Sequence, residues 1–166
     1  MLTASVPFWC LEETEYHMGF FATSLDIFEE LRYNKNKRAK EGHKMIYGTG
    51  IDIVEIDRIK KTMENPIFLQ RFFSSEERDY FSSRNFAPQT VAGNFAGKEA
   101  FSKAIGTGIS GFRLEEVEIL RDELGKPHIA LSGAAKKIAD EMGISGLYIS
   151  ISHSKHYAVA QVIAEH

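Results

Sequence analysis

The sequence predicts an α+β fold, an antiparallel sheet with helices on one side, formed by residues 45–166 and preceded by an N-terminal appendage, residues 1–44. Three observations predict it. One strand-like run, Ile46–Val54, leads into several helix-period segments rather than into a second strand. The remaining strand-like runs come in close pairs, Val117–Arg121 with Pro127–Leu131 and Leu147–Ser152 with Tyr157–Ala164, too near each other for a crossover helix. Between them lies a helix-length stretch from Pro88 to Ile105, with a ridge of Ala96, Ala100 and Ala104 that permits close packing.

The elements follow in chain order. Residues 34–44, NKNKRAKEGHK, are polar and highly charged and read as a linker. Before it, Ser24 is expected to cap a short helix through Tyr33, with Leu25, Phe28 and Leu31 at helical spacing. We expect this appendage to lie outside the working domain and to reflect a translation start upstream of Met45. Ile46–Val54 alternates as a strand. Val54–Glu64 reads as a helix with Ile56, Ile59 and Met63 on one stripe, stopped by Asn65-Pro66. A short helix, Ile67–Phe73, follows. Ser74 and Glu77 have capping-box spacing and open a helix to about Ser83. Pro88 starts the long helix. DELGK joins the next two strands as a hairpin. Ser132 is placed to cap a helix ending at Gly143, before the final strand pair.

Composition narrows the function. A length of 166 residues suits one domain with a sizeable core. A net charge of −3 excludes a global basic field for nucleic acid. No apolar run approaches the roughly 20 residues of a membrane span. Glu12, Glu13 and Glu15 break any signal-peptide core. The single cysteine, Cys10, excludes an intrachain disulfide framework and fits a reducing compartment, so a cytoplasmic location is expected.

Three stretches carry chemistry. In GTGIDIVEIDRI, Asp52 shares a strand face with Gly48 and Gly50 and lies between Ile51 and Ile53; it is either a site carboxylate or a group that faces water or caps the next helix. In NFAGKEAFSKAIGTG, Phe95, Glu99 and Lys103 share a helix face. Glu99 and Lys103 alone read as a surface ion pair of about 0.3–0.5 kcal/mol, whereas the following glycine-rich turn would let backbone amides approach a ligand. In YISISHSKHYAVAQV, Ile149 and Ile151 point inward, and His153 and Lys155 lie where the strand turns; His153 is a turn residue or part of a phosphate-contacting cluster with Ser152 and Ser154. His17, His43, His128, His156 and His166 lack metal-ligand spacing. Hard oxygen donors with lysine and histidine, and no thiolate cluster, suit Mg²⁺ held by Asp52 and Glu99, with Lys103 and His153 neutralising phosphate.

Together, GIDIVEIDRI, FAGKEAFSKAIGTG, GKPHIALS and SISHSKHYAVAQV resemble, in order and spacing, the holo-[acyl-carrier-protein] synthases, a group of 4′-phosphopantetheinyl transferases. The resemblance covers Met45–Glu165. It implies Mg²⁺-dependent transfer of the phosphopantetheine arm of coenzyme A to a serine of apo acyl carrier protein, releasing adenosine 3′,5′-bisphosphate, by a compact homotrimer with active sites between protomers. It implies Asp52 and Glu99 as metal ligands, Lys103 and His153 at the pyrophosphate, Lys98 near the coenzyme's phosphates, and Arg58, Lys60 and Lys61 on the helix that receives the acidic carrier. One departure stands out. Where the family reads R-F-A-A-K-E-A, Asn94 replaces an arginine that helps hold the coenzyme, leaving Arg84 as a possible substitute. A Mg²⁺-dependent nucleotide phosphohydrolase and a non-catalytic module binding carrier protein or coenzyme A are the competing readings.

Overall fold

A computed structural model describes residues 45–166; the appendage and its expected helix lie outside the described residues. Strand β1 (Ile46–Glu55) leads through three short helices, α1 (Ile56–Thr62), α2 (Pro66–Phe72) and α3 (Ser75–Ser83), into the long helix α4 (Pro88–Ile105). A 3-10 turn (Leu114–Glu116) opens the hairpin of β2 (Val117–Arg121) and β3 (Pro127–Leu131). Helix α5 (Gly133–Glu141) precedes β4 (Gly146–His153) and β5 (Tyr157–Glu165).

All strand pairs are antiparallel, as expected, but they divide into two sheets: a three-stranded sheet in the order β1-β5-β4, and the β2-β3 hairpin. Pairing of Val54 with Ala158 holds the expected end of β1 in the ladder, and pairing of Glu55 with Tyr157 carries the strand one residue past it. That delays α1 to Ile56, because ladder bonds outcompete the local helical pattern over these two residues.

Helix α4 lies against the three-stranded sheet because both surfaces are small. Ala158, Ala160, Val162 and Ala164 of β5 are buried with Ala96, Ala100 and Ala104 of α4. Gly48 and Gly50 of β1 receive the helix backbone itself. A Cβ at Gly50 would lie 2.0 Å from the Ala100 carbonyl oxygen, and one at Gly48 2.2 Å from that of Ala104. Neither carbonyl can swing aside without breaking the helix. Gly50→Ala is therefore expected to cost about 3 kcal/mol or more, beyond ordinary overpacking. A urea denaturation midpoint equal to the wild type would contradict this close approach.

The other flanks of α4 meet the hairpin and an aromatic cluster. Ile119 of β2 and Ile149 of β4 close on Gly97. Phe68, Phe72, Phe73, Phe81 and Phe95 pack edge-on and tilted between α2, α3 and α4. The helix ends follow local chemistry with one exception. Ser74 and Glu77 form the expected capping box, and Gly106 closes α4 at φ 77°. Ser132 occupies the N-cap of α5, but its side chain accepts no capping hydrogen bond. Glu116 is the acceptor instead: its Oε2 accepts from the amides of Ala134 and Ala135. This correction has a tertiary cause, a carboxylate from the preceding 3-10 turn that local spacing does not reveal. The sheet face away from α4 exposes Ile51, Ile53, Tyr148 and Tyr157.

Candidate active site

The odd-even alternation of β1 turns Asp52 toward α4, on the same face as the glycines that admit the helix. One turn separates Glu99 from Lys103, so both reach the same side of α4. The Lys103 ammonium donates to Asp52 Oδ1 at 2.9 Å and to the Ile51 carbonyl at 3.0 Å. The lysine is half-exposed and the aspartate largely covered. The bond therefore locates the side chains without contributing much stability. Glu99 completes the group. Its carboxyl is pushed above the usual glutamate value, first by burial and then by the charge of Asp52, with Lys103 pulling it back.

A cleft of about 620 Å³ opens at Asp52 and Glu99. Arg58 lines it from α1, Tyr157 from β5, and Phe68, Phe72 and Phe95 form its apolar wall. Two carboxylates and a peptide carbonyl form a hard-oxygen donor set. Burial first and the charge of Asp52 second raise Glu99, and a divalent cation would offset both. The donor chemistry of Asp52 and Glu99 therefore fits a hard divalent cation such as Mg²⁺. Among the described residues no group of three or more His, Cys, Asp or Glu side chains is arranged around a common metal position.

The other expected residues divide. Arg58 stands in the cleft, and Lys60 and Lys61 lie exposed in the last turn of the same helix. His153 does not join Asp52. It ends β4, paired with Ala158 of β5, two strand spacings or about 9–10 Å from β1, and lines a separate cavity of about 210 Å³ with Arg84. Lys98 requires correction. It is fully buried, and its ammonium donates to Glu77 Oε2 at 2.6 Å and to the carbonyls of Leu114 and Val117 at 3.0 and 2.5 Å. Those three bonds use every N–H the group has, so Lys98 ties the hairpin to α3 and does not reach a ligand. Asn94 is likewise buried, bonded to Glu77 and the Ile119 carbonyl, and does not face a nucleotide. The sequence reading missed Arg121 and Tyr80, which line the His153 cavity; their only local signal was a basic residue at the rim of a hairpin.

A model of the 4′-phosphopantetheinyl transferase superfamily matches residues 48–162. The chain belongs to this superfamily. Among curated relatives, the holo-[acyl-carrier-protein] synthase of Clostridium botulinum strain Alaska E43 is 52% identical over 122 residues, 73% of this chain and 98% of that protein. Two solved structures agree with this phosphopantetheinyl transferase fold. The holo-[acyl-carrier-protein] synthase of Neisseria meningitidis superposes with a TM-score of 0.69 at 37% identity, over 74% of this chain and all of that one. The Bacillus anthracis synthase, solved in complex with CoA (3′,5′-ADP), superposes with a TM-score of 0.62 at 39% identity, over 73% of this chain and 97% of that one.

Proposed function

We propose that this phosphopantetheinyl transferase moves the 4′-phosphopantetheine arm of coenzyme A to a serine of apo acyl carrier protein. The observation that carries the reading is Asp52, Glu99 and Lys103 converging at the mouth of a cleft walled by Arg58 and phenylalanines.

The reaction needs a nucleophile, charge neutralisation and a leaving group. Mg²⁺, when bound by Asp52 and Glu99, supplies Lewis-acid polarisation of the pyrophosphate oxygens. Lys103 contributes a second positive charge, and exchanging its bond to Asp52 for one to a phosphoryl oxygen costs little because that bond is exposed. Serine is a poor nucleophile and must lose its proton. The Glu99 carboxylate, or a water held beside it, accepts that proton. The serine Oγ bonds the β-phosphorus, the bond from that phosphorus to the bridging oxygen breaks, and adenosine 3′,5′-bisphosphate departs with the bond's electron pair. Carrier protein docks through Arg58, Lys60 and Lys61, a positive helix face beside the cleft.

The assembly is a homotrimer in a cytoplasmic setting. Ile51, Ile53, Tyr148 and Tyr157, exposed on the free sheet face, support self-association. The separation of His153 from Asp52 within one chain supports a site shared between protomers, with the His153 cavity of one facing the acids of the next.

Release of adenosine 3′,5′-bisphosphate should require apo carrier protein; release without it would favour a phosphohydrolase. Arg58→Glu should raise KM for carrier by about tenfold, an effect that shrinks at high salt, while KM for coenzyme A moves little. An equal rise for both substrates would remove the docking role.

A further inference from the structure

The buried pair of Glu77 and Lys98 stands directly behind the candidate site. Asn94 and Lys98 are one turn apart on the flank of α4 that meets the hairpin, whereas Phe95 and Glu99, each one residue further along, line the cleft. Glu77 accepts four bonds. Its Oε1 takes the Asn94 side chain and the Ile119 amide, both at 3.1 Å, and its Oε2 takes the Ser74 amide at 3.1 Å and the Lys98 ammonium at 2.6 Å. The ammonium is thereby fixed between α3, α4 and β2, with its other two N–H groups on Leu114 and Val117.

Two routes lead from this pair to the cleft. The first is the backbone. Lys98 precedes Glu99, so whatever holds that turn of α4 also holds the carbon from which the Glu99 carboxyl grows. Gly48 and Gly50 fix the helix from the other side, at Ala104 and Ala100, toward its C-terminal end. The second route is aromatic. The Lys98 ammonium lies 5.1 Å from the centre of the Phe73 ring. That ring packs against Phe68 at 5.8 Å and Phe95 at 6.4 Å, centre to centre, and both of these line the cleft. A shift of Lys98 therefore moves an acid and an apolar wall of the same site together. A buried ion pair is often no more stabilising than well-packed apolar side chains of the same volume, and its best-attested use is to fix one arrangement among several.

We propose that Lys98, held by Glu77, is a positioning residue for transfer: it sets the place of Glu99 against Asp52 and of Phe95 in the cleft, so that metal binding and rate depend on the pair apart from its effect on stability. The inference rests on the transferase reading. It goes beyond that reading by naming the buried side chains that hold a metal-site acid in register.

Calorimetric titration of the full chain with Mg²⁺ tests it, beside steady-state transfer kinetics. The double variant Glu77→Gln with Lys98→Met removes the buried charges and the tether together. It should bind Mg²⁺ about 10-fold more weakly than the wild type, the lower end of the range for lost support of a metal ligand. Its kcat should fall about 10- to 100-fold with KM for carrier protein little changed, the pattern of a displaced reacting group. Glu77→Asp keeps both charges but shortens the reach by one methylene, and should give a smaller loss of Mg²⁺ affinity. The control is Ala139→Gly, a destabilising change on the buried face of α5 outside the cleft, which should keep wild-type Mg²⁺ affinity and kcat. Wild-type Mg²⁺ affinity in the folded double variant overturns the proposal, and so does an equal loss in Ala139→Gly. Should the double variant melt below the assay temperature, unchanged affinity in Glu77→Asp overturns it instead. A wild-type protein that neither binds Mg²⁺ nor transfers would remove the functional reading and this inference together, whereas unaltered Mg²⁺ binding in the variants removes the inference alone.

Discussion

Glu99→Gln is expected to lower phosphopantetheine transfer by about 10³-fold or more, the effect of removing several kcal/mol of charge stabilisation at the reacting phosphate. Asp52→Asn should have a similar effect. The same Glu99→Gln variant should melt at a higher temperature than the wild type when Mg²⁺ is absent. Burial and the Asp52 charge hold the folded-state pKa of Glu99 above its ordinary value. The folded protein thus keeps this proton to higher pH than the unfolded chain. The group's contribution to stability is fully present at low pH and is lost as pH rises through the folded-state value. At neutral pH the ionised Glu99 is a burden that glutamine relieves. Adding Mg²⁺ should raise the melting temperature of the wild type and leave that of Glu99→Gln nearly unchanged. Near-normal transfer in either variant, or equal Mg²⁺ stabilisation of both proteins, would remove that acid from the metal site.

The second large effect concerns a residue that does no chemistry. Lys98→Met should destabilise the fold by about 3–5 kcal/mol, the cost of leaving one partner of a buried ion pair unpaired. Burial pushes the Glu77 carboxyl up and the Lys98 ammonium down, and each pulls the other back toward its charged form. Removing the ammonium leaves Glu77, fully buried, with only neutral donors from Ser74, Asn94 and Ile119. The double variant Glu77→Gln with Lys98→Met should recover part of the loss, since no charge then remains buried. Denaturant titration measures both. A single variant within about 1 kcal/mol of the wild type would contradict the pairing.

These two residues show what sequence alone could reveal. Glu99 and Lys103 are one turn apart and Asp52 sits in a strand whose alternation fixes its face, so local periodicity gave each residue's face, while donor chemistry and the family resemblance were needed to join the three. The two antiparallel hairpins, the capping box at Ser74 and the glycine stop at Gly106 were legible from local pattern, whereas the pairing of β1 with β5 was not. Lys98 is adjacent to Glu99 in the chain but points into the core, and its partners Glu77, Leu114 and Val117 come from elements far away in sequence. Asn94 gains its meaning from Arg121, 27 residues on. The Glu116 cap of α5 and the two-residue delay of α1 by the β1 ladder are likewise products of tertiary contact. A motif match gave Lys98 the coenzyme's phosphates, while the fold commits its ammonium to protein oxygens.

The most direct test of the central claim is the mass of an apo acyl carrier protein after incubation with this chain, coenzyme A and Mg²⁺. A gain of one phosphopantetheine on a serine, absent when Mg²⁺ is chelated and absent with Glu99→Gln, is the predicted result. An unchanged carrier mass, with coenzyme A intact or hydrolysed, would contradict it.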